Sequence, residues 1–187
     1  MHPRFERFVQ GMSELTARSG VSEPDILNEG GALLRELVAQ DDWLAQEYTQ
    51  PHPQFYQQYL LHACPQGRFS VVSFVWGPGQ KTPIHDHTVW GLIGMLRGGE
   101  QSRPFVRDPL TGRLQEGRTQ ALEPGAVEAV SPTVGDIHEV SNTYSDRVSI
   151  SIHVYGADIG QVRRHVFDPQ TGAAKEFVSG YANTSKA

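Results

Sequence analysis

Beyond about residue 54 the chain stops repeating its apolar residues every three or four positions and alternates them every two, in nine successive runs. These runs cover 55–61, 69–76, 89–96, 101–106, 114–122, 126–130, 137–142, 147–155 and 161–167, separated by turn residues. Strands this short and this closely spaced must bury their apolar faces against one another, so the pattern predicts an all-β barrel or sandwich. The links carry turn chemistry: Gly77-Pro78-Gly79, Gly98-Gly99, Glu123-Pro124-Gly125, and two copies of Asp-Pro-x-Thr-Gly at 108–112 and 168–172. Five matching positions are too few to define a domain repeat. The 19 Gly and 12 Pro are in keeping with a turn-rich β protein.

The first 50 residues read differently. Phe5, Phe8, Val9, Met12 and Leu15 recur at helical spacing, as do Leu33, Leu34, Leu37 and Val38, which predicts amphipathic helices lying against the β region. Ser22 with Pro24 and Asp25 is a helix start, with a hydroxyl cap and early negative charge. Gly30-Gly31 is expected to break or kink the helical run after it. Asp41-Asp42 can open a further short helix that Pro51-His52-Pro53 ends. At 187 residues the whole chain fits one mainly β domain, able to bury about 70% of its unfolded surface. Its helical portion is 1–50, its β-barrel 54–170 and its loose tail 178–187.

A formal charge of −5 with no run of Lys or Arg gives no footprint for nucleic acid or an anionic membrane surface. The sequence shows neither an apolar signal segment nor a membrane span, so a soluble, cytoplasmic protein is expected. The one cysteine, Cys64, excludes an intramolecular disulfide and agrees with a reducing compartment.

Within the β region, His85-Asp86-His87 puts two imidazoles on one face of an extended run, where they could share a metal ion or simply meet solvent. Ser151, His153 and Tyr155 alternate with Ile150, Ile152 and Val154. All three polar side chains therefore share a face, either the solvent side of an edge strand or an inward relay whose members satisfy one another. His2, His52, His62 and His165 have no partner at metal spacing and read as surface or satisfied histidines.

Gly79-x5-His85-x-His87-x3-Gly91-x6-Gly98 resembles the first cupin motif, with Gly91 where that motif usually has glutamate. Pro132 to Gly135, then His138 and Asn142, resembles the second. Together with Ser151-x-His153-x-Tyr155, these clusters are similar to the thiol dioxygenases, the cysteine-dioxygenase-type cupins, over residues 55–167. The resemblance implies a jelly-roll barrel with helices packed on it. It also implies one Fe(II) per chain on His85, His87 and His138, O2 as co-substrate, and a Ser151–His153–Tyr155 hydrogen-bond chain ending near a small thiol carboxylate.

Two departures bear on substrate. Gln58 stands where mammalian-type members have a carboxylate-binding arginine, and an amide cannot supply a bidentate charged clamp. The cysteine that those members cross-link to the relay tyrosine is absent, the corresponding stretch being Trp90-Gly91-Leu92. Both features resemble the bacterial glutamine-type branch, which implies 3-mercaptopropionate as substrate, bound with help from Gln58, Arg164 or its neighbour Arg163, and Trp90. Cysteine and mercaptosuccinate remain alternatives. So do a three-histidine isomerase or hydrolase with another metal and a non-catalytic small-ligand-binding cupin.

Overall fold

The computed structural model describes residues 1–184. Two β-sheets enclose an interior, and helices cover the outside of one of them. The strands are β1 (Gln57–Ala63), β2 (Ser70–Trp76), β3 (Ile84–His85), β4 (Gly91–Arg97), β5 (Glu100–Arg107) and β6 (Leu114–Glu116). They continue as β7 (Gln120–Leu122), β8 (Val127–Val130), β9 (Ile137–Asn142), β10 (Ser149–Tyr155), β11 (Arg164–Phe167) and β12 (Ala174–Phe177). One sheet has the order β1-β2-β10-β4-β8 and the other β12-β11-β3-β9-β5-β6, with β7 also paired to β5. This is the expected barrel with N-terminal helices.

The helices are α1 (Pro3–Ala17), α2 (Glu23–Asp25) and α3 (Gly31–Val38). Ser22 caps α2 in a reciprocal capping box with Asp25, as its sequence predicts. Gly30-Gly31 does not break the chain: a π-helical turn, Ile26–Gly30, runs directly into α3 with helical backbone angles. Close packing accounts for glycine there, since a Cβ at Gly30 would stand 3.1 Å from Leu92 and one at Gly94 2.8 Å from Leu34. The helix expected after Asp41-Asp42 is only a 3-10 turn, Gln46–Thr49. Trp43 is instead buried beside α3, its indole N–H donating to the Leu37 carbonyl.

Strands β2 and β10 are buried along their whole length, because both faces are covered. Val71, Val75, Leu92, Leu96, Ile150, Ile152 and Val154 face the helices and pack with Phe8, Met12, Leu34 and Leu37. Val72, Phe74, Trp76 and Tyr155 face the interior and meet Val140 of the second sheet. That double cover explains why these two strands combine polar and apolar positions without presenting either to water.

Three differences from the sequence pattern concern chain ends and short pieces. The run at 114–122 is two strands, β6 and β7, both on β5. Strand β12 arises because the second Asp-Pro-x-Thr-Gly turn folds residues 174–177 back onto β11. In both such turns the aspartate Oδ1 accepts two backbone N–H groups, those of Leu110 and Thr111 in one and of Gln170 and Thr171 in the other. The expected loose tail is held as far as Asn183, whose amide pairs with both the N–H and the carbonyl of Leu60. Tyr181 also reaches in, its hydroxyl accepting from Gly160 N–H and donating to Asp158. The last three positions of that tail lie outside the described residues. No described helix is long and apolar enough to cross a membrane.

Candidate metal centre

His85 and His138 are paired across β3 and β9, and His87 lies on the loop that leaves β3. The alternation that gives His85 and His87 one face aims both inward, where His138 joins them. The three histidines are buried, their ligand atoms lie within 4.8 Å of one another, and their ring centroids are 4.8 to 4.9 Å apart.

Each ring has a partner for Nδ1, and those partners fix the tautomer. His85 Nδ1 is 3.1 Å from the Pro83 carbonyl, which can only accept, so Nδ1 carries the proton. His87 Nδ1 is 2.9 Å from Asp136 Oδ1. His138 Nδ1 is 3.3 Å from Ser102 Oγ, which donates its own proton to Glu128 Oε1 at 3.1 Å and so accepts from the ring. The lone pairs of all three therefore sit on Nε2, and His87 Nε2 is buried with no hydrogen-bond partner. Three converging neutral imidazoles, each oriented by an outer hydrogen bond, fit a metal cation with open positions left over. Burial first, then the neighbouring rings, hold His85 and His138 well below the ordinary histidine pKa, which keeps them in the neutral form that binds metal.

Sequence reasoning missed Asp136. Burial tends to raise its pKa, but the hydrogen bond from the His87 ring and the N–H groups of His87 and Thr88 hold it below the usual carboxylate range. Thr88 has φ of 60°, a left-handed conformation that is uncommon for a β-branched residue, and its N–H is pinned to Asp136 Oδ2 at 2.9 Å. Asp86 was legible only as the spacer between two histidines. It faces away from them and binds the N–H and ring of His165, at 2.7 and 2.8 Å, so His165 ties the metal loop to β11.

The Ser151, His153 and Tyr155 side chains are at most 3% exposed, which rules out the solvent-face reading. Ser151 Oγ is 2.8 Å from His153 Nε2, and His153 Nδ1 is 2.8 Å from the Tyr155 hydroxyl. Trp76 adds its indole N–H to Ser151 at 3.2 Å. Phe74 stacks on the His153 ring and Tyr155 stacks on His87, with centroids 3.9 and 5.4 Å apart. Burial raises the Tyr155 pKa, so its hydroxyl keeps its proton. Gly91 lies opposite Tyr155 in the ladder, and a Cβ there would come within 3.0 Å of the tyrosine ring. The glutamate missing from the first motif is thus replaced, in space, by Tyr155.

Of the two candidate arginines, Arg164 is buried and Arg163 is exposed beside Glu176. Arg164 stacks on Phe177, donates to Ser179 Oγ and leaves Nε buried without a partner. Its charge acts on Tyr155 and on Tyr56, and Gln58 lies beside the Tyr56 hydroxyl. Gln58 Oε1 is likewise buried and unpartnered. Trp90 is not in this group. Because Gly91 faces inward, residue 90 faces outward, and the Trp90 indole packs against Gly156 and the helix-side core.

Residues 38–168 match the family model for cysteine dioxygenase type I. The chain belongs to the cysteine dioxygenase type I family. It is 26% identical over 108 residues to cysteine dioxygenase type 1 of Homo sapiens, covering 57% of this chain and 52% of that protein. Against the Danio rerio protein of the same name it is 29% identical over 111 residues, covering 57% and 53%. This member of the cysteine dioxygenase family therefore spans about half the length of the curated relatives it matches. Solved structures similar to it include a double-stranded β-helix protein from Klebsiella pneumoniae, with TM-score 0.49, 15% identity and coverage of 73% of this chain and 97% of that one. A cupin superfamily protein from Desulfitobacterium hafniense has TM-score 0.46 and 14% identity, covering 64% and 94%.

Proposed function

We propose that this chain is an iron-dependent thiol dioxygenase that converts a short mercapto acid, 3-mercaptopropionate, to its sulfinic acid. The observation that carries the reading is the convergence of three Nε2 lone pairs beside a buried Ser151–His153–Tyr155 chain. His85, His87 and His138 would hold Fe(II), and Pro83, Asp136 and Ser102 keep their rings turned towards it. When bound, Fe(II) supplies open coordination positions and redox capacity for adding both atoms of O2 to the thiol sulfur.

The chain's own groups then have separate tasks. Tyr155 keeps its proton and can donate a hydrogen bond to the substrate or to oxygen, with His153 and Ser151 holding it in place. Arg164 supplies a positive charge for the carboxylate, and Gln58 and Tyr56 supply polar contacts beside it. The nearby carboxylates are taken up: Asp86 by the ring and N–H of His165, and Asp136 by the His87 ring and the N–H groups of His87 and Thr88. Neither of these two is free to receive the ammonium group of an amino acid, and the uncharged Gln58 in place of an arginine clamp supports a mercapto acid over cysteine.

Oxygen uptake and sulfinate formation by the Fe(II)-loaded protein test this across 3-mercaptopropionate, cysteine and mercaptosuccinate. The expected result is one O2 per thiol, with the highest kcat/KM for 3-mercaptopropionate. Cysteine as the best substrate would overturn the substrate assignment, and no turnover of any short thiol would overturn the reaction.

A further inference from the structure

The relay does not end at Ser151. Glu100, the first residue of β5, projects inward beside it, 1% exposed, with Oε1 lacking any hydrogen-bond partner. The Ser151 hydroxyl and the Trp76 indole are neighbours of the Glu100 carboxyl, and the Trp76 N–H donates to Ser151 rather than to Glu100. We propose that Glu100 is a positioning residue whose protonation sets the direction of the hydrogen bonds along Ser151, His153 and Tyr155.

The donor inventory allows two arrangements. A hydroxyl gives one hydrogen bond and accepts two, an indole N–H only donates, and a neutral imidazole has one nitrogen of each kind. With Glu100 protonated, its O–H and the Trp76 N–H both donate to Ser151. Ser151 then donates to His153 Nε2, and His153 Nδ1–H donates to the Tyr155 oxygen. The Tyr155 proton is left pointing into the metal site. With Glu100 ionised, Ser151 turns its proton to the carboxylate and accepts from His153 Nε2–H. Tyr155 then donates to His153 Nδ1, and nothing is left to donate to the site. The two arrangements differ by the one proton that leaves Glu100 for solvent, and Ser151 is fully satisfied in both.

Burial first, and then the Glu128 carboxyl, push the Glu100 pKa up to about 8, against the opposing pull of the neighbouring Ser151 hydroxyl and Trp76 indole. Among the described residues the titratable groups that act on or are acted on by it are Glu128 from β8 and Tyr155 from β10, with His153 one hydrogen bond beyond Ser151. β9 places Asn142 opposite it, with Val140 and His138 farther along the same face, and β7 places Leu122 there. No described cation pairs with it.

The test tracks the His153 tautomer by 15N NMR in the metal-free full chain, with the signal assigned by its absence in His153→Gln. The expected result is a change from the Nδ1–H to the Nε2–H form with a midpoint near 8 in the unaltered chain. In E100Q, whose amide can always donate to Ser151, the Nδ1–H form should persist. A single tautomer throughout that range in the unaltered chain, or the same titration in E100Q, would overturn the proposal. In the iron-loaded protein, kcat should fall as Glu100 ionises and the fall should disappear in E100Q; a fall of the same midpoint in E100Q and in the unaltered enzyme would also overturn it. This kinetic consequence rests on the thiol dioxygenase reading, whereas the tautomer change does not. Switching without thiol turnover would refute the reaction alone, and turnover without switching would refute the Glu100 assignment alone.

Discussion

Strand β10 has two faces one side chain apart, and they are held by different physics. Ile150, Ile152 and Val154 meet the helices through area and shape, so each contributes roughly in proportion to the apolar surface it removes from water. Ser151, His153 and Tyr155 bury donors and acceptors that are tolerable only because each finds the next. On the first face a substitution costs volume. On the second it leaves an orphaned polar group or a lost proton path, so stability and function should separate across a single strand.

The largest effect should come from His138→Ala, which breaks the inner site outright. Bound iron measured by metal analysis should fall to background and thiol-dependent oxygen uptake with it, since two imidazoles remain of three. Next, Ile152→Ala on the outer face should lower unfolding free energy by about 2–5 kcal/mol in denaturant titration. Turnover per iron-loaded, folded molecule should stay unchanged. Tyr155→Phe should do the reverse, reducing kcat by about 10–100-fold while unfolding free energy moves by no more than about 1.5 kcal/mol. Equal losses of stability and rate in these two variants would erase the distinction between the faces.

The most gradual effect is a pH dependence of stability from Glu100. Its pKa is raised from 4.5 to about 8 on folding, so between those values the folded chain keeps a proton that the unfolded chain has released. Stability should therefore fall as pH rises through that window, by at most about 1.4 kcal/mol per pH unit. It should stop falling from this cause above the window. The same measurement on E100Q should show a flatter profile, and an unchanged slope would mean that Glu100 is ionised in the folded state.

The three-histidine cluster shows which groupings the sequence makes legible and which it does not. His85, His87 and His138 were legible because motif spacing is local, and Ser151, His153 and Tyr155 because alternation puts every second residue on one face. Asp136, Ser102, Glu128 and Glu100 carried no such mark. Asp136 stands two positions before His138, and only this proximity could have singled it out. Trp90 was misplaced because sequence adjacency to a ligand says nothing about the side of the sheet. Arg164 could not be told from Arg163, since adjacent strand residues face opposite ways and the sequence does not say which way is in.

The sequence by itself determined the turn-rich β architecture, the helical cover and the sets of residues that must share a face. Periodicities of two and of three to four are properties of the local backbone and need no tertiary information. Only the tertiary structure decided that the polar face of β10 is the inner one and that Tyr155 fills the space above Gly91. It also decided that a buried carboxyl meets the far end of the relay. Those facts depend on register between strands far apart in the chain and on what covers each sheet. Alternation is unchanged by exchanging the two faces, so no local pattern could have supplied them.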